Sequence, residues 1–169
     1  MRDRREAKAS RPLRALGFAV LVGIATVHAP ASAQSGKVRI SGLADVSYGT
    51  INNLQSDSRR NQSICVSATD GQYTVTASGT GPGGALELSS GVSSLPYTVE
   101  WNAAPGQSFG EDLPANSAVM GQSTPERQQD CKSRGLQTAS VIVILRGAEL
   151  SRAIQGAYSG TLSLLIAAQ

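Results

Sequence analysis

The chain has 169 residues, of which 40% are hydrophobic, 16% charged and only 4% aromatic, and its formal charge is +3. That length suits one domain; the chain is too apolar for a disordered tail and too poor in charge for a coiled coil. The positive charge sits in residues 1–33, where Arg2, Arg4, Arg5, Lys8, Arg11 and Arg14 face only Asp3 and Glu6; the remainder has a net charge of −1, which excludes a basic nucleic-acid face on the body of the protein.

Residues 1–33 read as a secretory signal peptide. A basic stretch ends at Arg14, an apolar run follows from Ala15 to Val27, and Ala31-Ser32-Ala33 forms a small-x-small site that predicts cleavage between Ala33 and Gln34. The run is short for a membrane span, which needs about 20 residues, so an uncleaved anchor is the weaker alternative. Arg4-Arg5 lacks the apolar flank of a twin-arginine signal. The mature domain is then 34–169, exported to the periplasm and onward to the cell surface or medium.

Two cysteines, Cys65 and Cys131, remain after cleavage, and the one histidine, His28, leaves with the signal. An even cysteine count in an exported chain predicts a disulfide. It would close a loop of about 67 residues, worth on the order of 4 kcal/mol by chain entropy. A zinc site wants four closely spaced ligands, and no metal or other cofactor is expected.

Taken in chain order, the mature part has mostly a two-residue period. Lys37-Val38-Arg39-Ile40 alternates, and Val46 and Tyr48 resume the pattern after Ser41-Gly42. Ile64, Val66 and Ala68 form the next strand face. Arg59-Arg60 ahead of it reads as the end of a polar loop. Asp70-Gly71 predicts a two-residue hairpin into a strand carrying Tyr73, Val75 and Ala77, because both turn residues tolerate positive φ. Gly79 to Gly84 interrupts, and Leu86 and Leu88 open another short strand. Leu95, Tyr97, Val99 and Trp101 share one strand face. The stretch 102–134 is rich in Pro, Gly, Ser and Gln and reads as loop tied down at Cys131. Ala139 to Leu145 is a Val/Ile run without alternation, the pattern of a strand buried on both faces or of a buried helical turn. Gly147 to Ile154 has room for one helical turn, and Tyr158, Leu162, Leu164 and Ile166 alternate to the C-terminus. Seven or so short strands at regular spacing predict an all-β sandwich.

Catalytic motifs are hard to seat on this pattern. Gly79-x-Gly81-x-x-Gly84 formally matches a dinucleotide fingerprint, but that motif must open a helix, and here Pro82 lies inside it; a glycine-rich hairpin fits better. Without histidine there is no Ser-His-Asp or Cys-His pair. The ten carboxylates of the mature chain read as solvated surface, although two facing each other across a cleft would suit a glycosidase. Asn61-Gln62-Ser63 fits a glycosylation sequon that is common by chance. Trp101 reads as core or hydrophobic rim. The apolar C-terminal strand asks for a neighbour, in the fold or on another chain, because a bare apolar edge invites aggregation.

Gly156-Ala157-Tyr158-Ser159-Gly160-Thr161-Leu162-Ser163-Leu164 resembles the closing motif of the spore coat protein U family, which includes pilins of the archaic chaperone–usher pathway. Gly42-Leu43-Ala44-Asp45-Val46-Ser47-Tyr48-Gly49 resembles its opening strand. Ile64-Cys65-Val66, Gly71 to Ala77 and Leu95 to Val99 follow in the same order, so the likeness spans the mature chain. The resemblance implies an immunoglobulin-like, pilin-type β-sandwich lacking its last strand. It implies as partners a periplasmic pilus chaperone that supplies the missing strand, an outer-membrane usher, and neighbouring pilin subunits that exchange strands at the edge marked by Tyr158, Leu162, Leu164 and Ile166. Pilins that polymerise carry a donor segment of ten or more residues. Here only Val38 and Ile40 offer apolar plugs in a short donor segment, which points to a minor, tip or terminating subunit serving adhesion or biofilm formation. The alternatives are a self-contained lectin-like binding sandwich and a two-carboxylate hydrolase using Glu100, Glu111 or Asp112.

Overall fold

The structure is a computed structural model that describes residues 36–128 and 131–169. The expected signal peptide and the expected cleavage site at Ala33 and Gln34 lie outside the described residues. Among those described there are ten strands and two single-turn helices, so the chain is all-β. The strands are β1 (Val38–Ser41), β2 (Ser58–Ala68), β3 (Gln72–Ser78), β4 (Glu87–Ser89), β5 (Ser94–Pro96), β6 (Thr98–Asn102), β7 (Glu111–Asp112), β8 (Ala118–Ser123), β9 (Ala139–Leu145) and β10 (Ser163–Ala168); the helices are α1 (Cys131–Arg134) and α2 (Gly147–Leu150).

One sheet has the order β1-β2-β9-β6-β7, a second β10-β3-β8, and β4 pairs with β5 in a separate hairpin. All pairings between these strands are antiparallel. The two larger sheets share one core. Ile64, Val66 and Ala68 of β2, Val99 and Trp101 of β6 and Val141, Val143 and Leu145 of β9 meet Tyr73, Val75 and Ala77 of β3. Trp101 links the sheets directly. Its indole N–H donates to the Tyr73 hydroxyl at 3.2 Å, and the two rings meet edge to face at 6.1 Å. Trp101 is therefore core.

β9 is buried at all seven positions, as a strand without alternation should be. Only every second residue faces the core, and Ile142 and Ile144 point the other way. That outer face is covered by residues 103–110. This strap is held by the residues that share the face: Ser140 Oγ donates to Ala104 O and accepts from Gln107 N–H, Ser63 Oγ accepts from Gly106 N–H, and Asn61 donates to Gln107 O.

Several sequence-based expectations are corrected. Asp70-Gly71 makes no hairpin: Gly71 takes φ +76° in the turn, but β2 and β3 belong to different sheets, and the turn carries the chain from one sheet to the other. Arg59 and Arg60 lie inside β2, which begins at Ser58. Val46 and Tyr48 are not on a strand; residues 42–57 run without ladder pairing, and Gly42 at φ +86° ends β1. Tyr48 reaches the core margin instead, where its hydroxyl donates to Val143 O at 2.7 Å. The face from Leu95 to Trp101 is split between β5 and β6. Gly79 to Gly84 closes as a loop with a short 3-10 turn, through a bond from Gly79 N–H to Gly84 O. The stretch 102–134 contains β7 and β8, and β8 is a full member of the second sheet.

Candidate interaction edge

β10 pairs with β3 through six residues, from Ser163 opposite Ser78 to Ala168 opposite Tyr73. In this register Leu164 lies opposite Ala77 and Ile166 opposite Val75, so both face inward. The β3 residues are fully buried, whereas Leu162, Leu164, Ile166 and Ala168 remain half-buried although the three larger ones pack on the core. No strand among the described residues pairs with the other edge of β10. The core is thus unsealed along that edge. The segment leading into β1 approaches it: a Cβ on Gly36 would stand 3.2 Å from that of Ala168.

The four residues expected to form this edge divide into two groups. Leu164 and Ile166 are on β10, and Leu162 just precedes it on the same inward side. Tyr158 lies outside the strand, half-buried, with its hydroxyl donating to Ile154 O at 2.8 Å; the neighbouring Ser159 bridges to Ser89 of the β4–β5 hairpin. Val38 and Ile40, expected as a short donor segment, belong to β1, opposite Ala68 and Val66 of β2, and pack half-buried against the chain's own core.

The expected disulfide is present. Cys65 and Cys131 are joined, 66 positions apart, and both are buried. The bridge fixes α1 against β2, and the ion pair from Arg134 to Glu126 at 2.9 Å holds the same turn. An open cleft of about 220 Å³ lies beside the bridge, between Ser41, Gly42 and residues 135–137. Its lining carries hydroxyl and amide groups but no titratable side chain.

Two carboxylates depart from the expected solvated surface. Glu126 is 6% exposed and so is Glu100, which takes both its oxygens to Arg59 at 3.1–3.2 Å and accepts from Gly110 N–H at 3.1 Å. A Cβ at Gly110 would overlap the Trp101 backbone, so only glycine brings that N–H so close. Arg146 adds a longer contact to Glu100 and a 2.9 Å pair to Asp57. The Gly147 N–H, and then Arg146, hold the Asp57 carboxyl below its usual range. Each of these carboxylates is committed to cations or backbone N–H groups, an arrangement that fastens the strap and α2 to the first sheet. Glu111, named with Glu100 for hydrolysis, accepts from Gln122 Nε2 at 3.0 Å and ties β7 to β8.

β8 gave no apolar alternation, and no motif would have found it. The Arg59–Glu100 pair was equally invisible, because its members are 41 positions apart. No protein-family model matches the chain, and no curated protein matches it at a significant level.

Proposed function

We propose that this chain is an exported structural subunit of chaperone–usher type, an immunoglobulin-like sandwich without its final strand. Its β10 edge accepts a strand from a periplasmic chaperone and then from a neighbouring subunit delivered through an outer-membrane usher. In a surface fibre serving adhesion or biofilm formation it would be a tip, minor or terminating member, since β1 keeps Val38 and Ile40 for itself.

The observation that carries this reading is the unpaired, half-buried β10 edge. Strand order supports it. In the seven-stranded immunoglobulin arrangement one sheet runs A-B-E-D and the other C-F-G. In chain order, β1, β2, β9 and β6 take the places of A, B, E and D, while β3 and β10 take those of C and F. The place of G lies beside F, where no strand among the described residues pairs with β10. Strand addition there would supply main-chain bonds, and alternate apolar side chains would fill the gap over Leu162, Leu164 and Ile166.

The test is capture of the tagged chain from periplasmic extract of its own host, compared with Leu164→Asp. The native chain should bring down a chaperone-sized partner at one to one. The variant should lose it, because the carboxylate would be buried in an apolar pairing without a counter-charge. Equal capture by both forms, or no partner for the native chain, would overturn the reading and favour a self-contained binding module.

A further inference from the structure

We infer that, before any donated strand arrives, two copies of this chain cap each other by antiparallel pairing of β10 with β10. The inference needs only the free edge; under the strand-accepting reading, this dimer is what an incoming strand displaces.

Three observations select a second copy as the occupant. First, the edge carries no gatekeeper: from Tyr158 to Gln169 there is no charged residue and no proline. Proteins that keep a sheet edge monomeric place lysine, proline or a bulge there. β8, at the opposite edge of the same sheet, shows that management, with a register shift between Tyr73 and Val75 and Gly121 at φ +74°. β10 pairs with β3 through all six residues without a shift.

Second, the strand is complementary to itself. In an antiparallel pair, residues directly opposite each other point to the same face. A two-fold axis at Leu165 sets Leu164 opposite Ile166 of the second copy, and Leu162 opposite Ala168. Every inward, half-buried apolar residue then meets another of its kind, and the two unsealed cores face each other. An isologous contact of this type closes on itself and does not propagate.

Third, Leu165 is 67% exposed on the outer face although it sits in the middle of the strand. The same axis places it against its own copy, which removes a large apolar side chain from water. The result is one continuous six-stranded sheet, in which each β10 occupies the vacant flank of the other.

The register is directly testable by cross-linking, since the native cysteines are bridged and an introduced one is the only free thiol. Opposite Cα atoms in an antiparallel pair stand about 4.5–5.5 Å apart, within the span of a disulfide. The full-length chain carrying Leu165→Cys, exported from its host, should form a covalent dimer on a non-reducing gel. Ser163→Cys or Ala167→Cys alone should not, and the two expressed together should cross-link to each other. Native protein should sediment as a concentration-dependent dimer. Leu165→Lys should be monomeric and should melt like native protein diluted until it too is monomeric, because its side chain remains on the solvent face. Cross-linking of Ser163→Cys alone as fast as Leu165→Cys would overturn the inference. So would sedimentation as a monomer at every concentration, or recovery only in aggregates or with other proteins. Leu165→Lys that is monomeric yet still captures a chaperone would separate this dimer from strand acceptance.

Discussion

Trp101 of the first sheet and Tyr73 of the second join their side chains in a hydrogen bond in a fully buried setting. Trp101→Ala removes both the ring and the donor. It should cost about 3–5 kcal/mol in a denaturant titration; a loss under ~1 kcal/mol would mean that the sheets do not depend on this contact. Burial raises the ionisation of Tyr48, Tyr73 and Tyr97 above the usual phenol range. A neutral phenol preferred by the fold contributes stability that is complete below about pH 10, the unfolded value. It is lost as the pH climbs from there toward the folded values. Alkaline titration followed by phenolate absorbance should therefore show these three tyrosines ionising only as the fold melts. Their reversible titration near pH 10 in an intact fold would contradict the burial described.

At the level of elements, strands whose sequence reports their own burial were legible. The unbroken Val/Ile run of β9 reported its burial while leaving strand and buried helical turn both open, and β10 showed itself by strict alternation of Leu162, Leu164 and Ile166. β8 was not legible: it is an edge strand that leaves Ala118 and Met120 exposed, and its one buried side chain is the polar Gln122. Asp70-Gly71 misled for a different reason. Positive φ fixes a tight turn, but whether the strands on either side pair with each other depends on where their apolar faces find partners. For β2 that partner is β9, and for β3 it is β10. The edge itself was half legible, since sequence showed which residues alternate but not that one flank of β10 stays vacant. The disulfide belongs to this scale because it clips α1 to β2. Replacing both cysteines by alanine should lower stability by about 4 kcal/mol in chemical denaturation, the loop-entropy value for its span. An unchanged midpoint under oxidising conditions would show that the Arg134–Glu126 pair alone holds the turn.

For the whole molecule, the first sheet is closed on its outer face by the strap over Ile142 and Ile144. The second sheet opens at β10. On the proposed reading, contact with another chain is directed to that edge, and Leu164→Asp and Leu165→Lys separate its two components: an inward charge should attack strand acceptance, an outward one self-pairing.

The pairing of β2 with β9 also has a consequence in time. Ser58 meets Leu145 and Ile64 meets Ala139. A chain threaded from its N-terminus across a membrane presents β2 on the far side well before β9 has emerged. During that interval the apolar half of β2, from Ile64 to Ala68, has neither its long-range partner nor a local hairpin to shelter it. Closing so long a loop is slow compared with forming local contacts. Under the proposed export, the interval of greatest exposure falls during translocation, when a helper at the exit would meet β2 before β10 exists.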